Sequence, residues 1–211
     1  MKLAFIGAGR VGGALAVRLA EAGHSVVLAE TKDGSSSLAQ TLARSSKLRA
    51  APIRDAVSGA EVVFLATPFA ANEGIVVPLA DALAGKILVD CTNPVGAGLS
   101  HGLESKRSGS EAVQALVPKT RVVKAFSIYG FENFEDPAYP GYGVKAAMLF
   151  CGDDAAAKTT VATLIADVGF EPVDVGALVQ ALHLEHMTLL WVRMVRGRGA
   201  SPNIVWGALR R

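Results

Sequence analysis

Residues 1–30 read MKLAFIGAGRVGGALAVRLAEAGHSVVLAE. The apolar run Leu3–Ile6 enters Gly7-Ala8-Gly9-Arg10-Val11-Gly12, a helical pattern continues from Val11 to Ala22, and a second apolar run, Val26–Ala29, ends at Glu30. The order is strand, glycine turn, helix, strand. Each glycine has a mechanical reason in a dinucleotide-binding unit. Gly7 permits the tight turn, Gly9 lets the backbone approach a pyrophosphate, and Gly12 lets the helix lie close on the strand. The first N–H groups of the helix lack intrahelical partners and carry the positive end of its dipole, which suits an anionic diphosphate. Glu30 stands eighteen residues past Gly12, near the place where an acidic side chain bonds a ribose diol.

At 211 residues the chain is long enough for one good core plus a small appendage. Hydrophobic residues make up 51% and charged residues 19%, and the mean hydropathy is +0.36, yet no apolar run approaches a membrane span. The surplus suits a sheet buried on both faces and a subunit interface. A net charge of +2 gives no electrostatic case for nucleic acid or a membrane surface as the main partner. Cys91 and Cys151 lie in or at the end of apolar runs, the pattern of buried thiols rather than a disulfide or metal framework. Met1-Lys2 leads straight into the first strand and the glycines break any signal-peptide core, so a cytoplasmic protein is expected.

Further along, Val62–Ala66, Ile87–Asp90, Arg121–Phe126, Val144–Cys151 and Glu171–Val175 are predicted as strands, and residues 47–54 as a short strand or connector. Helices are predicted from the Ser35–Ser37 region to about Arg44, over Phe69–Leu83, Ser110–Leu116 and Ala155–Val168, the last capped by Asp153-Asp154. Gly96–Gly109 reads as a polar, mobile loop with a solvated His101. The alternation predicts an α/β, Rossmann-type doubly wound, mostly parallel sheet over 1–175. The remainder, 176–211, is expected to be a helical extension bearing the acceptor site and a homodimer contact. Its helix over Ala177–Val195 is apolar around most of its circumference, and a short terminal helix is expected over Asn203–Leu209.

Strand ends at Gly7, Thr67 and Asn93 are followed by Gly, Pro, Thr or Asn, as along one cofactor groove at the carboxyl edge of an open sheet. Ordinary turn chemistry explains Thr67 and Asn93 equally well. Glu185, in so apolar a helix, must be paired, protonated or facing a ligand. His183 and His186 share a helix face, but HLEHM is not a zinc pattern and no third ligand is evident, so no metal is expected. Lys124, inside a strand, either faces the groove or snorkels. No nucleophile elbow, Walker loop or paired catalytic carboxylates appear, so no catalytic side chain is assigned. That suits chemistry in which a cofactor supplies the reactive group and the protein positions it.

Together these motifs resemble the coenzyme F420-dependent NADP oxidoreductases over nearly the whole chain. The resemblance rests on IGAGRVGGALA (Ile6–Ala16), GHSVVLAETK (Gly23–Lys32), DCTNP (Asp90–Pro94), VVKAFSIYGFENFEDP (Val122–Pro137), FCGDDAAAK (Phe150–Lys158) and GFEPVDVG followed by ALHLEHMTLLW. It implies a reductase that passes hydride between a nicotinamide dinucleotide and a deazaflavin (F420) or flavin-like ring. By matching position, Gly7, Ala8, Gly9, Arg10, Val11 and Gly12 would hold the diphosphate. Glu30, Thr31 and Lys32 would meet the adenosine ribose, Ala66, Thr67 and Pro68 would border the cofactor, and Asn93 and Pro94 would flank the nicotinamide. Ser127, Ile128, Tyr129, Glu185 and Met187 would lie beside the second substrate. Two departures stand out. Glu30-Thr31-Lys32 replaces a basic turn, so the family favours NADP while the glutamate favours NAD, and NADP is kept ahead. Ser127-Ile128-Tyr129 replaces smaller or differently polar residues and would reshape the acceptor site. The competing readings are an NAD(P)H-dependent reductase of a small carbonyl or imine, which needs a proton donor near the nicotinamide, and a non-catalytic NADP(H)-binding sensor.

Overall fold

The computed structural model describes residues 1–31 and 36–211. In chain order the strands are β1 (Lys2–Ile6), β2 (Ser25–Glu30), β3 (Arg49–Pro52), β4 (Val62–Leu65), β5 (Ile87–Asp90), β6 (Arg121–Lys124), β7 (Ala147–Gly152) and β8 (Glu171–Asp174). The helices are α1 (Arg10–Glu21), α2 (Ser36–Ala43), α3 (Ile53–Gly59), α4 (Asn72–Val76), α5 (Ala80–Leu83), α6 (Gly109–Leu116), α7 (Glu132–Glu135), α8 (Ala155–Val168) and α9 (Ala181–Val192). The strands form one eight-stranded sheet in the order β3-β2-β1-β4-β5-β6-β7-β8. Among these described strands only the β6–β7 pair is antiparallel. The order reverses between β1 and β4, so the glycine turn after β1 opens at the topological switch point.

Alternation along each strand divides the core. Leu3 and Phe5 face the layer of α1 and α8, whereas Ala4 and Ile6 face that of α3 and α5. An aromatic ladder crosses the first layer: Phe5 stacks on Phe64 at 4.3 Å, Phe64 meets Phe126 at 6.0 Å, and Phe134 stands edge-on to both Phe126 and Phe170. The 176–211 segment joins this layer through Leu184, Trp191 and Val195. Asp154 caps α8 by accepting the Ala157 N–H at 2.7 Å, which explains the sharp turn out of β7. No helix among the described residues is long and apolar enough to cross a membrane.

Three expectations are corrected. The single helix expected over Phe69–Leu83 is a relay of α4, α5 and two tight helical turns, Phe69–Ala71 and Val77–Leu79. Pro78 has no N–H for the Gly74 carbonyl and cannot continue a straight α-helix. The helix expected over Asn203–Leu209 is instead an extended tail. It lies beside the start of β7, in the lane that β6 has left, through an antiparallel Ala146–Gly207 bridge and the Ala147 N–H donating to the Trp206 carbonyl at 2.8 Å. The 96–109 loop folds back on itself through a Val95–His101 bridge, with the Gly102 N–H on the Pro94 carbonyl, and His101 is buried rather than solvated. Helix α9 has a buried face and one open stripe. Ala181, Leu184, Glu185, Thr188, Leu189 and Trp191 are buried, while His183, His186, Leu190 and Arg193 form an exposed stripe.

Candidate active site

The glycine turn works by steric exclusion. Gly7 has φ +104°, and a Cβ there would lie 2.5 Å from the Ala66 carbonyl oxygen. A Cβ on Gly12 would lie 1.9 Å from the Gly7 carbonyl oxygen, so only glycine lets α1 sit on the turn. Gly9 differs: a Cβ there would meet nothing within 4 Å, because the residue faces open space. Helix α1 starts at Arg10 with no acidic residue in its first turn, leaving its N–H groups facing that space unopposed. These observations fit a bound diphosphate. Arg10 is exposed and its guanidinium lies 5.3 Å above the centre of the Phe131 ring, which ties the turn to the segment after β6. Thr41 of α2, which sequence reasoning passed over, is buried and donates its hydroxyl to the Ala8 carbonyl at 3.0 Å.

A groove of about 220 Å³ brings Gly7, Ala8 and Gly9 together with Ala29, Thr31, Ser37, Leu38, Ala66, Thr67 and Pro68. Glu30 ends β2 as an exposed residue beside it, and half-buried Val11 packs behind the turn. Lys32 lies outside the described residues.

Beyond Thr67 the groove edge is held by a chain of polar contacts. The Thr67 hydroxyl donates to Asn72 Oδ1 at 2.9 Å, Asn72 Nδ2 donates to Thr92 Oγ1 at 2.9 Å, and the Thr92 hydroxyl donates to Asp90 Oδ1 at 2.7 Å. Asn93 is half-buried. Its Nδ2 donates to the Ser127 carbonyl at 3.1 Å, and its Oδ1 lies 3.1 Å from the Thr188 hydroxyl on α9. Pro94 behind it is buried and Met187 is half-buried.

Beneath this edge lies a cluster of buried charges. Lys124 Nζ donates to Asp90 Oδ2 at 3.4 Å, to Glu185 Oε1 at 3.2 Å and to the Thr92 carbonyl. His101 Nε2 stands 2.8 Å from Glu185 Oε2, and the Gly109 N–H at the start of α6 donates to the same carboxylate at 2.9 Å. The Ser110 hydroxyl completes Asp90 at 2.5 Å. Burial alone would lower the Lys124 pKa, but Asp90 and Glu185 outweigh it and raise it, so the ammonium stays charged.

Several expected acceptor contacts are therefore turned inward. Glu185 is 1% exposed and fully engaged in the cluster, so it does not face the groove. Lys124 neither snorkels nor lines the groove, because Asp90 and Glu185 hold it in the interior. Among the described residues the enclosed Ser127 hydroxyl has no hydrogen-bond partner, and Ile128 is fully buried. The Tyr129 hydroxyl donates to the Ala147 carbonyl at 2.6 Å and accepts the Trp206 N–H at 2.9 Å, so it holds the tail rather than a ligand. Residues 122–129 are buried without interruption, and the chain leaves β6 through Phe126 in the left-handed region at φ +54°. Along the same carboxyl edge, past β6, a cavity of about 230 Å³ lies between the tail and Tyr139, Tyr142 and Val144–Ala146.

Fold and groove together define a dinucleotide-binding α/β protein. Comparison with known proteins gives the family. The family described as NADP oxidoreductase, coenzyme F420-dependent, matches residues 2–94. A crystal structure from Arthrobacter sp. FB24, assigned as an F420-dependent NADP reductase, superposes with a TM-score of 0.88 at 30% identity, covering all of both chains. The F420-dependent NADP reductase of Methanocaldococcus jannaschii is 27% identical over 91% of each chain. Rat metalloreductase STEAP3 is 35% identical over 89% of this chain, which spans only 36% of that longer protein. The chain belongs to the F420-dependent NADP oxidoreductase family, whose members are NADP-dependent oxidoreductases.

Proposed function

We propose that this chain passes hydride between a nicotinamide dinucleotide, NADP ahead of NAD, and a deazaflavin (F420) or flavin-like ring. The observation that carries the reading is how the candidate proton donors are placed. Among the described residues, the Tyr129 hydroxyl, Lys124, His101 and Glu185 are enclosed and bonded to one another or to backbone. His183 and His186 lie on the outer stripe of α9. Carbonyl or imine reduction needs an acid at the carbonyl oxygen or imine nitrogen as hydride reaches the carbon, whereas a ring acceptor can take its proton from water. The bound dinucleotide supplies the hydride. Gly7–Gly12 would receive its diphosphate, Glu30 and Thr31 its adenosine ribose, and Ala66, Thr67 and Pro68 would border it. Asn93, oriented by Ser127 and Thr188, would meet the nicotinamide end. The relatives are named for different acceptors, F420 in one and metal in another, which supports a common nicotinamide groove with a variable partner.

The exposed α9 stripe around Leu190 is proposed as a homodimer contact. The deciding experiment is anaerobic stopped-flow oxidation of NADPH and NADH with F420, FMN, FAD, a small aldehyde and a cyclic imine. Rapid turnover with a ring acceptor alone is expected. Turnover with the aldehyde or imine alone would replace this reading with the carbonyl–imine one. Tight NADPH binding with no oxidation by any acceptor would leave a sensor.

A further inference from the structure

The buried cluster has a formal charge that its hydrogen bonds define. His101 Nδ1 accepts the backbone N–H groups of Leu103 at 3.3 Å and Ser105 at 3.2 Å, and a backbone N–H can only donate. Nδ1 therefore carries no proton, the proton of the imidazole is on Nε2 facing Glu185, and His101 is neutral. That leaves the carboxylates of Asp90 and Glu185 against the single ammonium of Lys124, a sum of −1. All three are at most 1% exposed, so water screens them little. At the start of α6 the Gly109 N–H donates to Glu185 and the Ser110 hydroxyl to Asp90, but a helix end offsets only about half a unit charge.

This charge lies against Asn93 from two directions. Thr92, its chain neighbour, bonds Asp90 through both N–H and hydroxyl and gives its carbonyl to Lys124. Thr188, three residues past Glu185 on α9, bonds Asn93 itself. We infer that the cluster acts as a fixed negative charge behind the nicotinamide end of the groove, favouring the oxidised, cationic ring over the reduced, neutral one. The inference rests on the groove assignment proposed above. Hydride loss makes the ring positive and hydride gain makes it neutral, so a buried anion nearby separates the two affinities. Asp90, Glu185 and Lys124 are thus tuning residues that touch neither ring. A unit charge acting over roughly 10 Å at an effective dielectric of about 20 changes a binding ratio by about ten-fold.

The test is fluorescence titration of the full chain with NADP⁺ and with NADPH at pH 7 and fixed ionic strength, in the wild type, Glu185→Gln and Asp90→Asn. Each variant should raise the ratio of the NADP⁺ to the NADPH dissociation constant by about ten-fold, an upward shift of about 30 mV in the potential of the bound couple. Two carboxylates on different elements give two independent chances of a folded variant, checked by near-UV circular dichroism. A cluster that is only structural would weaken both forms together, and an unchanged ratio in a folded variant overturns the inference. A wild type that binds neither nucleotide would instead overturn the groove assignment, and the inference with it.

Discussion

Lys124→Met keeps the length and most of the volume of the side chain and removes its charge. In the wild type the ammonium touches Asp90, Glu185 and the Thr92 carbonyl, and its side chain is wholly buried. Without it, Asp90 still holds Ser110 and Thr92, and Glu185 still holds His101 and Gly109, so no carboxylate loses every partner. Two like charges nevertheless share an interior with no cation. Removing one partner of such a cluster costs about 3–5 kcal/mol. With a urea slope of about 2–3 kcal/mol/M for a chain of this size, the midpoint should fall by roughly 1–2 M at pH 7. The pH dependence has a definite sign. In the wild type the folded pKa of Lys124 is raised, so its contribution is complete below the unfolded value near 10.4 and fades only as pH climbs through the folded value above that. In the variant the two carboxylates repel each other in the interior with no cation between them, and protonating either one relieves that repulsion. The deficit should therefore be smaller at pH 5 than at pH 8. A loss under about 1 kcal/mol, or a deficit that grows on acidification, would refute the reasoning.

Gly9→Ala and Gly12→Ala separate binding from folding. The first places its methyl in open space and should leave the melting temperature nearly unchanged while weakening NADPH binding about ten-fold or more. The second drives a methyl into the Gly7 carbonyl and should cost stability as well, by about 2 kcal/mol, so equal melting of the two variants would contradict the steric account. Tyr129→Phe leaves the Trp206 N–H without its acceptor and should cost about 1–3 kcal/mol, with faster proteolysis of the tail after Arg198 as the readout. Leu190, 51% exposed on α9, should convert a dimer to a monomer when changed to Asp; light scattering that finds the wild type already monomeric at micromolar concentration would remove the proposed contact.

What could be read from sequence was decided by short-range constraints. The β1–α1–β2 unit was legible because the spacing of its glycines is a local pattern between an apolar strand and a helix, and VVFL and ILV because strands covered on both faces are apolar on both. What was missed depends on partners far along the chain. Apolar periodicity runs from Phe69 to Leu83 and conceals the backbone consequence of Pro78. The tail carries Ile204, Val205 and Trp206 at positions that suit a helix. Its conformation is set instead by the vacant lane beside β7 and by a tyrosine hydroxyl 77 residues away. Helix α3 is seven residues long, too short for a clear period.

The two ends of the groove differ in legibility for a physical reason. At the diphosphate end the binding groups are backbone, and glycine spacing reports directly on where backbone is exposed. At the acceptor end the side chains matter, and the segment that carries them is buried throughout 122–129. Ser127, Ile128 and Tyr129 look from sequence like the rim of a pocket, and each becomes part of the interior. The charged residues carried a usable signal. Asp90, Lys124 and Glu185 each interrupt a strongly apolar element, and a lone buried charge costs several kcal/mol, so three of them in one small chain must meet one another. Their signs do not cancel, because the fourth member, His101, is held neutral by the backbone of its own loop. An interior that could have been balanced by protonating that imidazole keeps an unmatched anion beside Asn93. That is an expensive arrangement for a purely structural core, and a useful one beneath a ring that turns cationic.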